Sequence, residues 1–149
     1  FGGQYEVSHY SEFILCLVKE GRLILDTQSE TRPLTYHDPC YLGRHNKMFD
    51  QPRDLLATAT GSSPCEMPRN RERSFCCGAG GSNSWYEIRV GDRINAIRYE
   101  EAKETGAELV VTACPFCTTM LEEVAGRQEP EKRLEIQDLA EVVERASRR

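Results

Sequence analysis

Five of the seven cysteines gather into three short blocks. Cys40 closes the run Tyr36-His37-Asp38-Pro39-Cys40. Cys76 and Cys77 are adjacent and lead into Gly78, Gly80 and Gly81. Cys114 and Cys117 bracket Pro115-Phe116. Neighbouring cysteines can bridge each other only through a strained ring, so the pair is better read as two thiolates facing one inorganic body. The glycines behind it allow positive φ and close approach of the backbone to a ligand. Their amide N–H groups could also point at sulfur and offset its charge.

Cys114 and Cys117 stand at i and i+3. At a helix N-terminus this spacing puts both sulfurs on one side, where the dipole and free N–H groups favour thiolate. Pro115 suits the first turn because it has no N–H to leave unsatisfied. Five clustered cysteines exceed the four that tetrahedral zinc or an ordinary cubane cluster takes. The excess points to a larger or less regular iron–sulfur cluster, or to one cysteine kept free for chemistry. The alternative is a zinc-stabilised interaction module with no redox task. Cys114 and Cys117 alone would also suit a thiol–disulfide motif at a helix start, as in glutaredoxins, but there the motif sits near the N-terminus.

Other residues carry two readings each. His37 and Asp38 could hydrogen-bond a cluster or shuttle a proton, or simply form a turn before Pro39. Arg69, Arg71 and Arg73 could dock an acidic redox partner, with a solvated loop as the plainer reading. Trp85 could shield a cluster from water or anchor the core. Cys16 and Cys65, outside the three blocks, read as small buried hydrophobes. No role is assigned to His9 or His45.

The elements that must position these residues follow from periodicity and punctuation. A first helix starts at Ser11 as N-cap, carries Phe13, Ile14, Leu17 and Val18 at helical spacing, and stops at Gly21. Asp26 to Arg32 is a polar linker. Leu34 to His37 reads as a strand, Asp50 to Gly61 as a helix, and Cys65 to Met67 as a weak strand. Asp92 to Thr105 is a helix ending at Gly106. Glu108 to Thr112 is a strand, followed at once by a helix from Pro115 with Phe116, Met120 and Val124 on one stripe. Leu134 to Ile136 is a last strand, and Leu139, Val143 and Ala146 mark the final helix. This alternation predicts an α/β fold, a short parallel sheet flanked by helices. Ligands of such sheets collect at the carboxyl ends of the strands. Cys40, Cys114 and Cys117 all fall on that edge.

Composition narrows the function class. The net charge of −5 gives no electrostatic case for nucleic acid. The longest apolar run, Phe13 to Val18, has six residues and is far too short to span a bilayer. The odd cysteine count argues against a full disulfide framework. No leader is visible, so a reducing, cytoplasmic setting is expected.

The segments YHDPCYLG, FCCGAGG and TACPFCTTML resemble the cysteine-rich CCG domain. That domain occurs in heterodisulfide reductases, in iron–sulfur subunits of glycolate and lactate oxidation systems, and in membrane-linked oxidoreductases serving electron-transfer flavoprotein. The wording is most similar to the last group. The resemblance implies a non-cubane 4Fe-4S cluster on Cys40, Cys76, Cys77, Cys114 and Cys117; Gly78, Gly80, Gly81 and His37 are, from the residue types, expected beside it. It implies electron transfer to a redox partner, either a flavoprotein or a membrane quinone-linked module. Ser82-Asn83 stands where the family often has a further glycine. Members usually carry two such halves. With Phe1 in first place, the chain reads as the C-terminal half: residues 1–32 a helix and linker to an upstream half, residues 33–149 the cluster-binding domain.

Overall fold

The computed structural model describes residues 2–27, 30–86 and 90–147; Gln28 and Ser29 of the expected linker lie outside the described residues. The helices are α1 (Tyr10–Lys19), α2 (Asp50–Thr60), α3 (Ile94–Glu104), α4 (Pro115–Ala125) and α5 (Leu139–Ser147). The strands are β1 (Leu34–His37), β2 (Leu109–Thr112) and β3 (Glu135–Asp138), in the order β1-β2-β3 and parallel throughout. The expected α/β architecture is present.

Two cores flank the sheet, and strand alternation decides which residue enters which. Leu34, Tyr36, Leu109 and Val111 pack with α1, α2 and α5 through Leu15, Leu55, Leu56, Leu139 and Val143. Val110 and Ile136 face the other way, onto Tyr99 and Ala102 of α3 and Leu121 and Val124 of α4. Every residue of β1 and β2 is buried, as expected for a parallel sheet covered on both faces. The alternation that sends Tyr36 to the first core sends His37 to the α3 side.

Several local expectations are corrected. His9, not Ser11, caps α1: its Nδ1 accepts from the Ser11 amide while Glu12 accepts from the His9 N–H. Ser11 and Leu15 form the buried face of that helix, and Phe13 is exposed. Phe116 of α4 is likewise exposed, with Cys117, Met120, Leu121 and Val124 facing inward. The Cys65 segment makes a single parallel bridge to Thr35. Pro64 and Pro68 on either side limit further pairing.

Cys16 and Cys65 are exposed, not buried. Cys16 lies on the solvent side of α1 and donates to Glu20 at 3.3 Å, and Cys65 is held through its backbone, by Leu34 and Thr35. Trp85 is 80% exposed in a short 3-10 turn, Asn83–Trp85, so it neither anchors the core nor covers the sulfurs. No described helix is long and apolar enough to cross a membrane.

Candidate metal centre

The three cysteine blocks meet at the carboxyl edge of the sheet. Cys40 follows β1 by three residues and opens a π-helical turn, Tyr41–His45. In that turn the Pro39 and Cys40 carbonyls accept from Gly43 and Arg44 at 2.9 Å. Gly43 leaves room for the Phe49 ring: a Cβ there would stand 2.8 Å from Phe49 Cε1, so the ring would have to shift. Cys114 is the N-cap residue of α4 and Pro115 its first residue. Cys76 and Cys77 arrive on the loop between α2 and α3. His37, Cys40, Cys76, Cys77 and Cys117 line one partly open cavity. Cys114 borders a neighbouring apolar groove with Leu42 and Met48 and packs on the Cys77–Cys117 cluster.

The sulfurs are close and unbridged. All described cysteines are free, and the Cys117 thiol donates to Cys77 Sγ at 3.3 Å. A ring nitrogen of His37 and the Sγ atoms of Cys77 and Cys117 lie within 4.8 Å of one another. Cys77 and Cys117 thus form the middle of a sulfur array that Cys76 and Cys114 flank. Hydrogen bonds from the Cys117 and Cys76 thiols, then from His37 and the Ala79 amide, hold Cys77 far below the ordinary thiol range. The bond to Cys77 pushes Cys76 up, and the bonds to Cys114 and then to Cys77 push Cys117 up.

The Cys117 thiol, with the amides of Cys117 and Phe116 in the first turn of α4, outweighs burial and lowers Cys114 to about 6. In metal-free protein, alkylation of Cys114 by iodoacetamide should therefore rise with a midpoint near pH 6. Exposed Cys16, raised by its bond to Glu20, should react fully only at alkaline pH. Peptide mapping after timed labelling checks this, and a Cys114 profile no more acidic than that of Cys16 would refute it.

Gly78 is built into the site. Its φ is +91°, its N–H donates to Cys76 Sγ at 3.2 Å, and a Cβ would press on Ile94 Cβ at 3.2 Å. Gly80 and Gly81 instead lie exposed, with no described atom within 4 Å of a Cβ there. Ser82 adopts φ +65° directly after Gly81 at +64°, so serine takes up the left-handed conformation that a further glycine would hold without strain.

The surrounding charges come from residues far apart in sequence. Asp38, 3% exposed, accepts two bonds from Arg53 at 2.6 and 2.9 Å and one from the Arg71 amide at 2.8 Å. It is a structural ion-pair partner and not a simple turn residue. Arg69 pairs with Glu101 and lies over the Phe75 ring, and Arg71 pairs with Asp50 at 2.6 Å. Two of the three loop arginines are thus anchored within the chain, and Arg73 is exposed. Arg44 and Arg71 reach the cavity wall. Arg98 is fully buried behind His37. Sequence reasoning missed Arg53 and Arg98, whose partners lie up to 61 positions away.

This donor set fits an iron–sulfur cluster. Thiolates are soft donors, and amide N–H groups and cations around them are what an anionic cluster requires.

A family model described as a cysteine-rich domain, CCG, matches residues 34–122. The chain is 41% identical over 97% of its length to the EtfAB:quinone oxidoreductase of Syntrophomonas wolfei, covering 21% of that protein. It is 38% identical over 96% of its length to the Bacillus subtilis protein named "Probable iron-sulfur-binding oxidoreductase FadF", covering 20% of it. To a subunit of the dihydromethanophenazine:CoB--CoM heterodisulfide reductase of Methanosarcina barkeri it is 33% identical over 95% of its length, covering 34% of that protein. The chain thus spans between a fifth and a third of these relatives.

Proposed function

The chain belongs to the CCG cysteine-rich domain family, and from that premise we propose that it holds an iron–sulfur cluster and passes electrons within a longer oxidoreductase. The observation that carries this reading is the gathering of Cys40, Cys76, Cys77, Cys114 and Cys117 at one sheet edge, unbridged and supplied with amide donors. These five are the proposed ligands. Their number favours a 4Fe-4S cluster of non-cubane form, since four cysteines complete an ordinary cubane. A bound cluster would supply one-electron acceptance and donation.

The protein's own residues do the rest. The α4 N-terminus favours thiolate at Cys114, and the Gly78 amide donates to the Cys76 sulfur and opposes the shift that Cys77 imposes on it. Arg44 and Arg71 offset negative charge around the cavity. The cores beneath exclude water from Cys77 and Cys117, which are 4% and 2% exposed. Relatives named for electron-transfer flavoprotein, quinone and heterodisulfide chemistry support a flavoprotein or a quinone-linked module as redox partner. Seven cysteines without a described disulfide suit a reducing, cytoplasmic setting.

Anaerobic reconstitution with iron and sulfide tests the reading. The expected product is brown, carries iron and acid-labile sulfide in near-equal amounts, and gains a paramagnetic signal on oxidation or reduction. A colourless chain, or one that takes up zinc stoichiometrically in place of iron and sulfide, would overturn it.

A further inference from the structure

We propose that Arg98 is a positioning residue for this centre: it holds His37 in the one tautomer that gives an N–H to the Cys77 sulfur and cannot itself bind metal. The proposal rests on the iron–sulfur reading above and concerns residues outside the five cysteines.

Arg98 is 0% exposed in the middle of α3. A buried guanidinium costs several kcal/mol unless well paired, and the economical arrangement is a two-pronged bond to a carboxylate. Arg98 does not adopt it. Nη1 alone reaches Glu101, at 2.8 Å, and also donates to the Arg69 carbonyl at 2.8 Å. Nη2 has no hydrogen-bond partner among the described residues. Nε is turned 2.9 Å onto Nδ1 of His37, a ring nitrogen that offers no compensating charge. Stability alone does not account for that choice.

Its consequence for the imidazole is strict. Nε of arginine always carries hydrogen, so Nδ1 must accept. A doubly protonated ring would set donor against donor. The ring is therefore neutral, with its hydrogen on Nε2. Nε2, which then carries the hydrogen, is the nitrogen left to face the sulfurs beside it, those of Cys77 and Cys117 within 4.8 Å, and in the proposal Cys77 is its acceptor. A histidine bound to metal through Nε2 would need its hydrogen on Nδ1, which Arg98 forbids. The close grouping of His37, Cys77 and Cys117 is thus no mixed histidine–cysteine metal site. His37 is a donor to a ligand sulfur. Such a bond draws charge from the thiolate and favours the reduced cluster.

Two measurements test this. In metal-free protein labelled with nitrogen-15 at histidine, His37 should show the Nε2–H tautomer alone, and Arg98→Met should introduce the Nδ1–H form. In the reconstituted protein, Arg98→Met and His37→Phe should each move the midpoint potential to more negative values. Arg98→Met should add nothing in the His37→Phe background, because the arginine acts through that ring. An unchanged tautomer in Arg98→Met, or an equal further shift in the double variant, overturns the proposal. If Arg98→Met does not fold, His37→Phe leaves Arg98 in place, and an unchanged potential there overturns it equally. A wild-type chain that takes up no cluster removes both this proposal and the reading beneath it, whereas a tautomer failure with normal cluster content removes the proposal alone.

Discussion

Cys77→Ser should leave the reconstituted chain with iron and acid-labile sulfide near background, the largest loss expected of any single cysteine replacement. Cys77 is buried, accepts from the Cys117 thiol at 3.3 Å, and is the thiolate at the centre of the sulfur array. Serine offers a harder oxygen that cannot take the same place for a soft metal. Losing one outer hydrogen bond to a ligand costs about 10–100-fold in metal affinity, and losing a central ligand should exceed that. Cys76→Ser should also lower occupancy, by less, because Cys76 is half-exposed and lies at the outer end of the sulfur array, where the Gly78 amide donates to it. Cys16→Ser and Cys65→Ser serve as controls, since both thiols are exposed and lie apart from the cavity. Iron and sulfide per chain, read with visible absorbance, decide the matter. Full occupancy in both Cys76→Ser and Cys77→Ser would sink the idea that the adjacent pair faces one inorganic body.

What could be read from the sequence, and what could not, divides along a physical line. β2 was legible because Leu109-Val110-Val111 is an apolar, β-branched run between Gly106 and Pro115, and those signals are local. The place of Cys114 at the start of α4 followed directly. The meeting of Cys40 with Cys114 at one edge then needed only the parallel pairing of His37 with Thr112. Local composition misled at residues whose neighbours come from elsewhere. Leu15 and Phe13 are both apolar, and only the position of the sheet decides that Leu15 is buried and Phe13 is not. Cys16 falls on the wrong side of the same helix. Trp85 has no local signal to distinguish an exposed turn from a core anchor. Arg53 and Arg98 sit in polar helical stretches with no local sign of burial, because the partners that make burial tolerable, Asp38 and His37, arrive from β1 and the loop after it.

Arg53→Met should destabilise the chain by about 3–5 kcal/mol, the cost of leaving a buried carboxylate without its partner. The guanidinium is 6% exposed. It donates to both oxygens of Asp38, to both oxygens of Glu66 at 2.6 and 2.8 Å, and to the Phe49 carbonyl at 2.9 Å. It also lies 5.0 Å over the Tyr36 ring. Methionine keeps the apolar packing and removes every one of these bonds, so among the described residues the Asp38 carboxylate keeps the Arg71 amide alone.

The pH dependence gives the prediction a sign. Burial alone would raise the Asp38 carboxyl, but the hydrogen bonds and charge of Arg53 outweigh it and hold it below its ordinary value. A carboxylate lowered on folding contributes stability above its unfolded pKa of about 3.9 and loses it as pH falls below. In the variant, burial without the arginine raises the same group, so acid relieves its penalty. The gap in urea stability between wild type and Arg53→Met should therefore be widest near neutrality and close as pH drops through about 4. Asp38→Asn in the variant background should recover part of the loss, because a neutral amide tolerates burial better than an unpaired charge. A gap under about 1 kcal/mol at neutral pH, the ceiling for an ordinary surface pair, or one unchanged down to about pH 3, would show that the pair is not the support proposed. Because Asp38 lies two residues before Cys40, Arg53→Met should also lower cluster occupancy through the His37-to-Cys40 loop, although Arg53 does not line the sulfur cavity.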